Sequence, residues 1–325
     1  MASVFLLSAA PPGREKGDLD LRQMQESAAR DRFGVHRVVA GAEEADLILF
    51  VETSGAAGYY FEDVLRHPVY QANRRRSYLF SSTDRIVPML PGVFASVERR
   101  WYWPSWTRSG HYLGVVERDE LRYDQDAMPR LLFSFVGSSA THPVRTRILA
   151  LRHPEALLFD ATVEDAEASR RERDPPDAAE RLARYGRSLR DSAFVLCPRG
   201  GGTSSFRLFE AMMMGRVPVI VSDQMVLPEG PDWEEFSIRV AESRVKQIPA
   251  LLESRRAEAA TMGAAARRAW LEWFAPEVGF HRTVERCLEL AGRAHERRGV
   301  HRYAPFLQFA RPYHALRYLK KRLWR

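Results

Sequence analysis

Short runs of aliphatic, β-branched and aromatic residues recur along the chain, separated by longer stretches whose apolar positions return every three or four residues. The runs Val4–Ser8, Asp46–Val51, Ser77–Ser81, Leu131–Val136, Ala156–Phe159, Ala193–Leu196, Val217–Val221 and Phe236–Val240 read as strands. Most are apolar at consecutive positions, the pattern of strands covered on both faces in a parallel sheet. Helices are predicted at Leu19–Arg32, Ala178–Arg190, Phe206–Met214, Val245–Arg255 and from Glu258 to Phe274. Alternation of the two kinds of element implies an α/β chain of the doubly wound type.

The 325 residues are enough for two domains at about 100–200 residues each. The polar stretch Glu117–Arg130 separates two groups of strands and is the predicted break. It gives an N-terminal Rossmann-like domain at 1–128, a second domain at 129–292 and a basic tail at 293–325. A formal charge of +7 suggests nucleic acid or an anionic surface as partner. Its distribution points elsewhere, because ten of the 49 basic residues and one of the 42 acids lie in 293–325. The remaining 292 residues hold 39 basic against 41 acidic groups, so no nucleic-acid partner is expected.

No apolar run reaches the roughly 20 residues of a membrane-spanning helix, and Met1–Pro12 has no basic stretch ahead of its apolar run. The two cysteines, Cys197 and Cys287, form neither a metal-ligand pair nor a disulfide framework. A cytoplasmic protein without a zinc site is the expectation.

The chemistry concentrates in Asp191–Asp223, where a strand runs into Pro198 and Gly200–Gly202 and a helix begins near Phe206. Glycines let a backbone approach a ligand closely, and the free N–H groups and partial positive charge of a helix start favour phosphate. Ser204 or Ser205 can cap that helix, while Thr203 stands in the same loop. Arg199 and Arg207 add guanidinium forks that match phosphate oxygens. Glu210, three residues after Arg207, can face the same side of the helix. The spacing admits either an acceptor for a ribose diol or an ordinary surface Arg–Glu pair. The loop is neither G-x-G-x-x-G nor G-x-x-x-x-G-K-[ST], which disfavours dehydrogenases and P-loop ATPases.

The pattern S-x-F-x-L-x-P-x-G followed by S-x-R-x-x-E-A-x-x-x-G-x-x-P-V is present as Ser192, Phe194, Leu196, Pro198, Gly200, Ser205, Arg207, Glu210, Ala211, Gly215, Pro218 and Val219. It resembles the donor-binding half of the exostosin family, glycosyltransferase family 47. Phe133–Gly137 with Arg145 resembles that family's F-x-F-x-G…R segment, and Leu227-Pro228 with Trp233 its downstream L-P…W. The resemblance covers roughly Leu131 to Val240, and the N-terminal half matches only loosely. It implies a GT-B fold: two facing Rossmann-like domains, with a C-terminal helix crossing back to the N-terminal one. It also implies inverting transfer from a nucleoside-diphosphate sugar, usually a UDP-sugar, with no cofactor and no catalytic metal. The acceptor would be a glycan or a lipid-linked glycan, and the alternative is a non-catalytic binder with the same fold. Carried across, Arg207 and Glu210 contact diphosphate and ribose, Ser204 and Ser205 lie under the phosphates, and Arg145, after Gly137, Ser138 and Ser139, neutralises the departing diphosphate.

A general base is expected from the N-terminal domain. Candidates are Glu52 just past a strand, Asp84 after another, and His111 in Trp106–His111, which resembles the family's W-x-R-S-x-G-x-D-H segment without its Asp and with shortened spacing. The Trp101–Trp106 stretch either stacks on an acceptor sugar or covers a loop. The tail has apolar residues at near-helical spacing from Phe306 to Trp324 with basic residues between them. Two roles fit it: docking on the N-terminal domain, or lying on anionic lipid at the inner face of the membrane.

Overall fold

The computed structural model describes residues 1–10, 19–53, 61–84, 86–164, 178–297, 307–308, 311–312 and 314–316. It divides into two compact units, the first made of Met1–Gly114, Val226–Glu229 and Pro276–Arg325, the second of Val115–Met225 and Gly230–Ala275. Each contains one parallel sheet.

In the first unit β1 (Ser3–Leu7), β2 (Arg37–Val38), β3 (Leu47–Glu52), β4 (Ser77–Ser81), β5 (Gly92–Phe94) and β6 (Thr107–Ser109) are ordered β2-β1-β3-β4-β5-β6. Alternation along β3 sends Leu47, Leu49 and Val51 to one face and Ile48 and Phe50 to the other, and all five are buried. Layers on both sides therefore make consecutive apolar residues necessary. The short strands β2, β5 and β6 are not among the predicted ones, since two or three residues carry no readable period.

In the second unit β7 (Leu131–Gly137), β8 (Ala156–Asp160), β9 (Ser192–Pro198), β10 (Val217–Val221) and β11 (Ile238–Arg239) are ordered β11-β10-β9-β7-β8. The core on one face joins Phe133 and Phe135 of β7, Phe194 and Leu196 of β9 and alternate valines of β10 to Val144, Ile148, Ile248 and Leu252. Met212, Met213 and Met214 are buried packing residues.

The division differs from the predicted one at both ends. The units change at Gly114/Val115 rather than after residue 128, because the polar stretch 117–130 packs within the second unit, where Glu117 pairs with Arg267 at 2.7 Å. The helix Pro276–Gly292, assigned by sequence to the second domain, belongs to the first. It supplies Phe280, Val284, Cys287 and Leu290 to the core over β1, β3 and β4. Ser27, on the helix Leu19–Ala29, fastens its start by accepting from Phe280 N at 2.8 Å and donating to the Pro276 carbonyl. The predicted amphipathic helix of the tail falls mostly outside the described residues. Of those described, Arg311 pairs with Glu98 at 3.2 Å within the first unit. Among the described residues no helix is long and apolar enough to cross a membrane.

Candidate functional site

Strand order reverses between β9 and β7 in the second sheet, so the chain leaves these neighbours in opposite directions. Such a switch point opens a crevice beyond the carboxyl ends of the strands. The segments that border it are 138–142 after β7 and 199–205 after β9, the two that hold most of the candidate phosphate-binding residues expected from the sequence.

One arginine ties them together. Arg145, in the first turn of the helix Pro143–Leu149, donates from Nε to the Arg199 carbonyl at 2.9 Å and from Nη1 to the Ser138 carbonyl at 3.1 Å. A Cβ at Gly200 would lie 2.8 Å from Arg145 Nη2, which is why the loop needs glycine there. Arg145 is thus committed to holding the loops, whereas the resemblance gives it the departing diphosphate. Ser138 Oγ accepts from Ala140 N at 3.2 Å, and Ser139 donates to Asp160 at the end of β8 through N at 3.0 Å and Oγ at 2.6 Å. Burial works to raise the Asp160 carboxyl, but the hydrogen bonds from Ser139 and Thr162 hold it down at about 2.

Arg207 lies in the first turn of the helix Phe206–Met213 and is 8% exposed. Its guanidinium donates to the Val136 carbonyl, sits 4.7 Å above the Phe135 ring and 5.6 Å from that of Tyr185. Gly137 is what admits it, since a Cβ there would stand 2.8 Å from Arg207 Nη2. Ser205 is the extended N-cap residue but makes no side-chain cap bond. Thr203 and Ser204 are buried, and the Thr203 carbonyl accepts from Ser222 at 2.8 Å, which anchors the loop to the end of β10. Arg199 is half-buried, and its amide donates to Val221 at 3.1 Å.

Glu210 is 6% exposed, so the surface-pair reading of Arg207 and Glu210 does not hold. Its Oε2 accepts from the Tyr185 hydroxyl, and its Oε1 lies 3.8 Å from Arg118. Burial pushes the carboxyl up, against the Tyr185 hydrogen bond and the charges of Arg207 and Arg118. Burial and the Glu210 charge push the Tyr185 phenol well above its ordinary value, so the tyrosine keeps its proton. Sequence reasoning missed Tyr185 and Arg118. Tyr185 lies inside a correctly predicted helix, but helical period does not say which residue reaches another element.

The first sheet has its own reversal, between β1 and β3. Glu52, the last residue of β3, is fully buried there. Its oxygens accept from Ala9 N at 2.7 Å and Ser8 Oγ at 2.9 Å. Burial outweighs these bonds and, with the charges of Asp63 and Asp20, raises the carboxyl to about 7. Asp20, a second buried carboxylate overlooked in the sequence, is raised by burial and accepts from Ser82. Asp84 is exposed and accepts from Tyr112 at 3.0 Å. His111, after β6, is buried and pushed down to about 4, which makes it a weak base at neutral pH. The three candidate bases therefore stand at the ends of three different strands, and Glu52 is the one with burial and a near-neutral pKa.

Residues 103–255 match the family model of the Exostosin GT47 domain. A 72-residue stretch is 44% identical to the Exostosin-1 homolog of Caenorhabditis elegans, covering 22% of this chain and 19% of that protein. Over 72 residues the identity to the probable beta-1,4-xylosyltransferase IRX10 of Arabidopsis thaliana is 39%, covering 22% and 18%. These matches span about a fifth of the length of the curated relatives. Sucrose-phosphate synthase from Thermosynechococcus elongatus superposes with a TM-score of 0.51 at 13% identity, over 90% of this chain and 99% of that one. That likeness is one of fold, the GT-B class of two doubly wound units.

Proposed function

We propose that this chain, whose residues 103–255 match the Exostosin GT47 domain, transfers a sugar from a nucleoside-diphosphate sugar, with inversion, to a glycan or lipid-linked acceptor. The observation that supports this most is the buried Arg207–Glu210–Tyr185 group at the switch point of the second sheet. A guanidinium one turn from a buried carboxylate, beside the start of a helix, offers positive charge to a diphosphate and acceptors to a ribose diol.

In this reading the acceptor hydroxyl loses its proton as its oxygen bonds to the sugar C1. The bond from C1 to the diphosphate oxygen breaks, and negative charge grows on the leaving group. Arg207 and the first amides of the Phe206–Met213 helix stabilise that charge where it develops, which lowers the barrier electrostatically. Arg145 serves this step by fixing the two loops. Glu52 takes the proton, since a base with pKa near the working pH is the most effective. We further propose that the enzyme works in the cytosol, with the basic tail at 293–325 available to an anionic membrane.

Calorimetry with a panel of UDP-sugars tests the reading. One nucleotide sugar should bind and be turned over to UDP when acceptor is present, and Glu210→Ala and Arg207→Ala should abolish transfer in a folded protein. Absence of nucleotide-sugar binding would refute the donor site, and binding without turnover across acceptors would leave a non-catalytic binder.

A further inference from the structure

The first unit holds a cluster that the transfer reaction does not use. His36 ends the loop before β2, while His281 and Glu285 are one turn apart on the helix Pro276–Gly292. Their candidate ligand atoms all lie within 4.8 Å of one another, and no other such set of three occurs among the described residues. His36 Nε2 is 2.8 Å from Glu285 Oε1. The two imidazole rings are tilted at 37° with centroids 5.0 Å apart. Phe33 stacks on His281 at 4.0 Å, which fixes that ring's plane.

The protein's own bonds leave the cluster incomplete. His36 and His281 are 7% and 9% exposed, yet the Nδ1 atom of each is buried without a hydrogen-bond partner among the described residues. Buried polar atoms are ordinarily paired, and an unpaired one is costly. Asp31 adds a buried Oδ1 that also lacks a partner, and its charge acts on His281. Two neutral imidazoles and a carboxylate, with a second carboxylate outside them, suit a borderline divalent ion.

We propose that His36, His281 and Glu285 form a zinc-binding site that fastens the Pro276–Gly292 helix to the loop ahead of β2. On binding, the ion takes the His36 Nε2 lone pair and a Glu285 oxygen, and the proton between them moves by way of solvent to His36 Nδ1, so the imidazole stays neutral. Water completes the coordination on the exposed side of Glu285, whose side chain is 46% accessible. The site closes a unit whose segments are far apart in sequence. It does not depend on the transferase reading.

Titration of the metal-free full chain with Zn2+ by calorimetry tests the site. One ion should bind per chain, and at a hundredfold excess over Kd the melting temperature should rise by about 4 °C. Glu285→Gln should weaken binding about tenfold, and His36→Asn with His281→Asn should remove the site. Equal affinity of wild type and the double variant would overturn the proposal. If the variants do not fold, Co2+ on the wild-type chain decides. Intense visible bands of a four- or five-coordinate ion, bleached by Zn2+, are expected, and the weak spectrum of hydrated Co2+ would overturn it.

Discussion

Tyr185 donates its phenolic hydrogen bond to Glu210 from a position 25 residues upstream, so this buried carboxylate is oriented by a residue outside the glycine-loop motif. Burial alone would push Glu210 toward its protonated form, and the tyrosine works against that. Tyr185→Phe removes the donor from a buried carboxylate, a change worth about 1–3 kcal/mol. We expect a stability loss in that range and about tenfold weaker nucleotide-sugar binding. A double-mutant cycle with Glu210→Gln should give a non-additive remainder, measured by denaturant unfolding. Additive losses would show that the two side chains act independently.

The geometry of the two loops depends on Arg145 and on the missing side chain of Gly200. Gly200→Ala places a methyl group 2.8 Å from Arg145 Nη2 and should displace the guanidinium from the Ser138 and Arg199 carbonyls. Arg145→Lys keeps the charge but loses the fork. Both variants should fold, bind donor about tenfold or more weakly, and exchange the amides of 138–142 and 199–205 faster. Unchanged exchange with lost binding would return Arg145 to direct diphosphate contact.

The long strands and the glycine loop were legible because their signals are local: largely apolar runs of four to six residues, and a motif whose residues lie within one loop and one helix. What the sequence hid is what the topology assembles. The helix Pro276–Gly292 joins the first unit through contacts to Ser27, about 250 residues earlier, and no period records that pairing. Glu52, Asp84 and His111 could not be ranked because burial distinguishes them, and burial comes from the layers around each strand end. His36, His281 and Glu285 lack metal-ligand spacing as a set, so only the fold brings them together.

The return of that helix gives a prediction about stability. Ser27 is 2% exposed and is both acceptor for Phe280 N and donor to the Pro276 carbonyl. Ser27→Ala leaves the buried Phe280 amide and the part-buried Pro276 carbonyl without these bonds, and should cost about 1–3 kcal/mol. Gly279 lies against the same hydroxyl, since a Cβ there would be 3.1 Å from Ser27 Oγ. Unfolding midpoints of the full chain measure the loss, which should appear as a lower midpoint with an unchanged slope. A shift within a few tenths of a kcal/mol would mean that apolar packing of Phe280 and Val284 alone holds the helix.

Glu52 should make the protein less stable as pH rises. Its carboxyl stands near 7 when folded, against the ordinary 4.5. Between those values the folded state binds more protons than the unfolded one, so the unfolding free energy falls as pH increases from about 4.5 to 7. The shift corresponds to about 3 kcal/mol, absent at pH 4 and fully expressed above pH 8. Glu52→Gln removes the titration while keeping the shape. Its stability relative to wild type should therefore rise by up to that amount between pH 4.5 and pH 8, with the change centred in this interval. The same ionisation should govern catalysis, with kcat rising through an apparent pKa near 7 in the wild type and losing that limb in the variant. A stability difference that stays flat with pH would show that the carboxyl titrates normally, and Glu52 would then lose its claim to be the base.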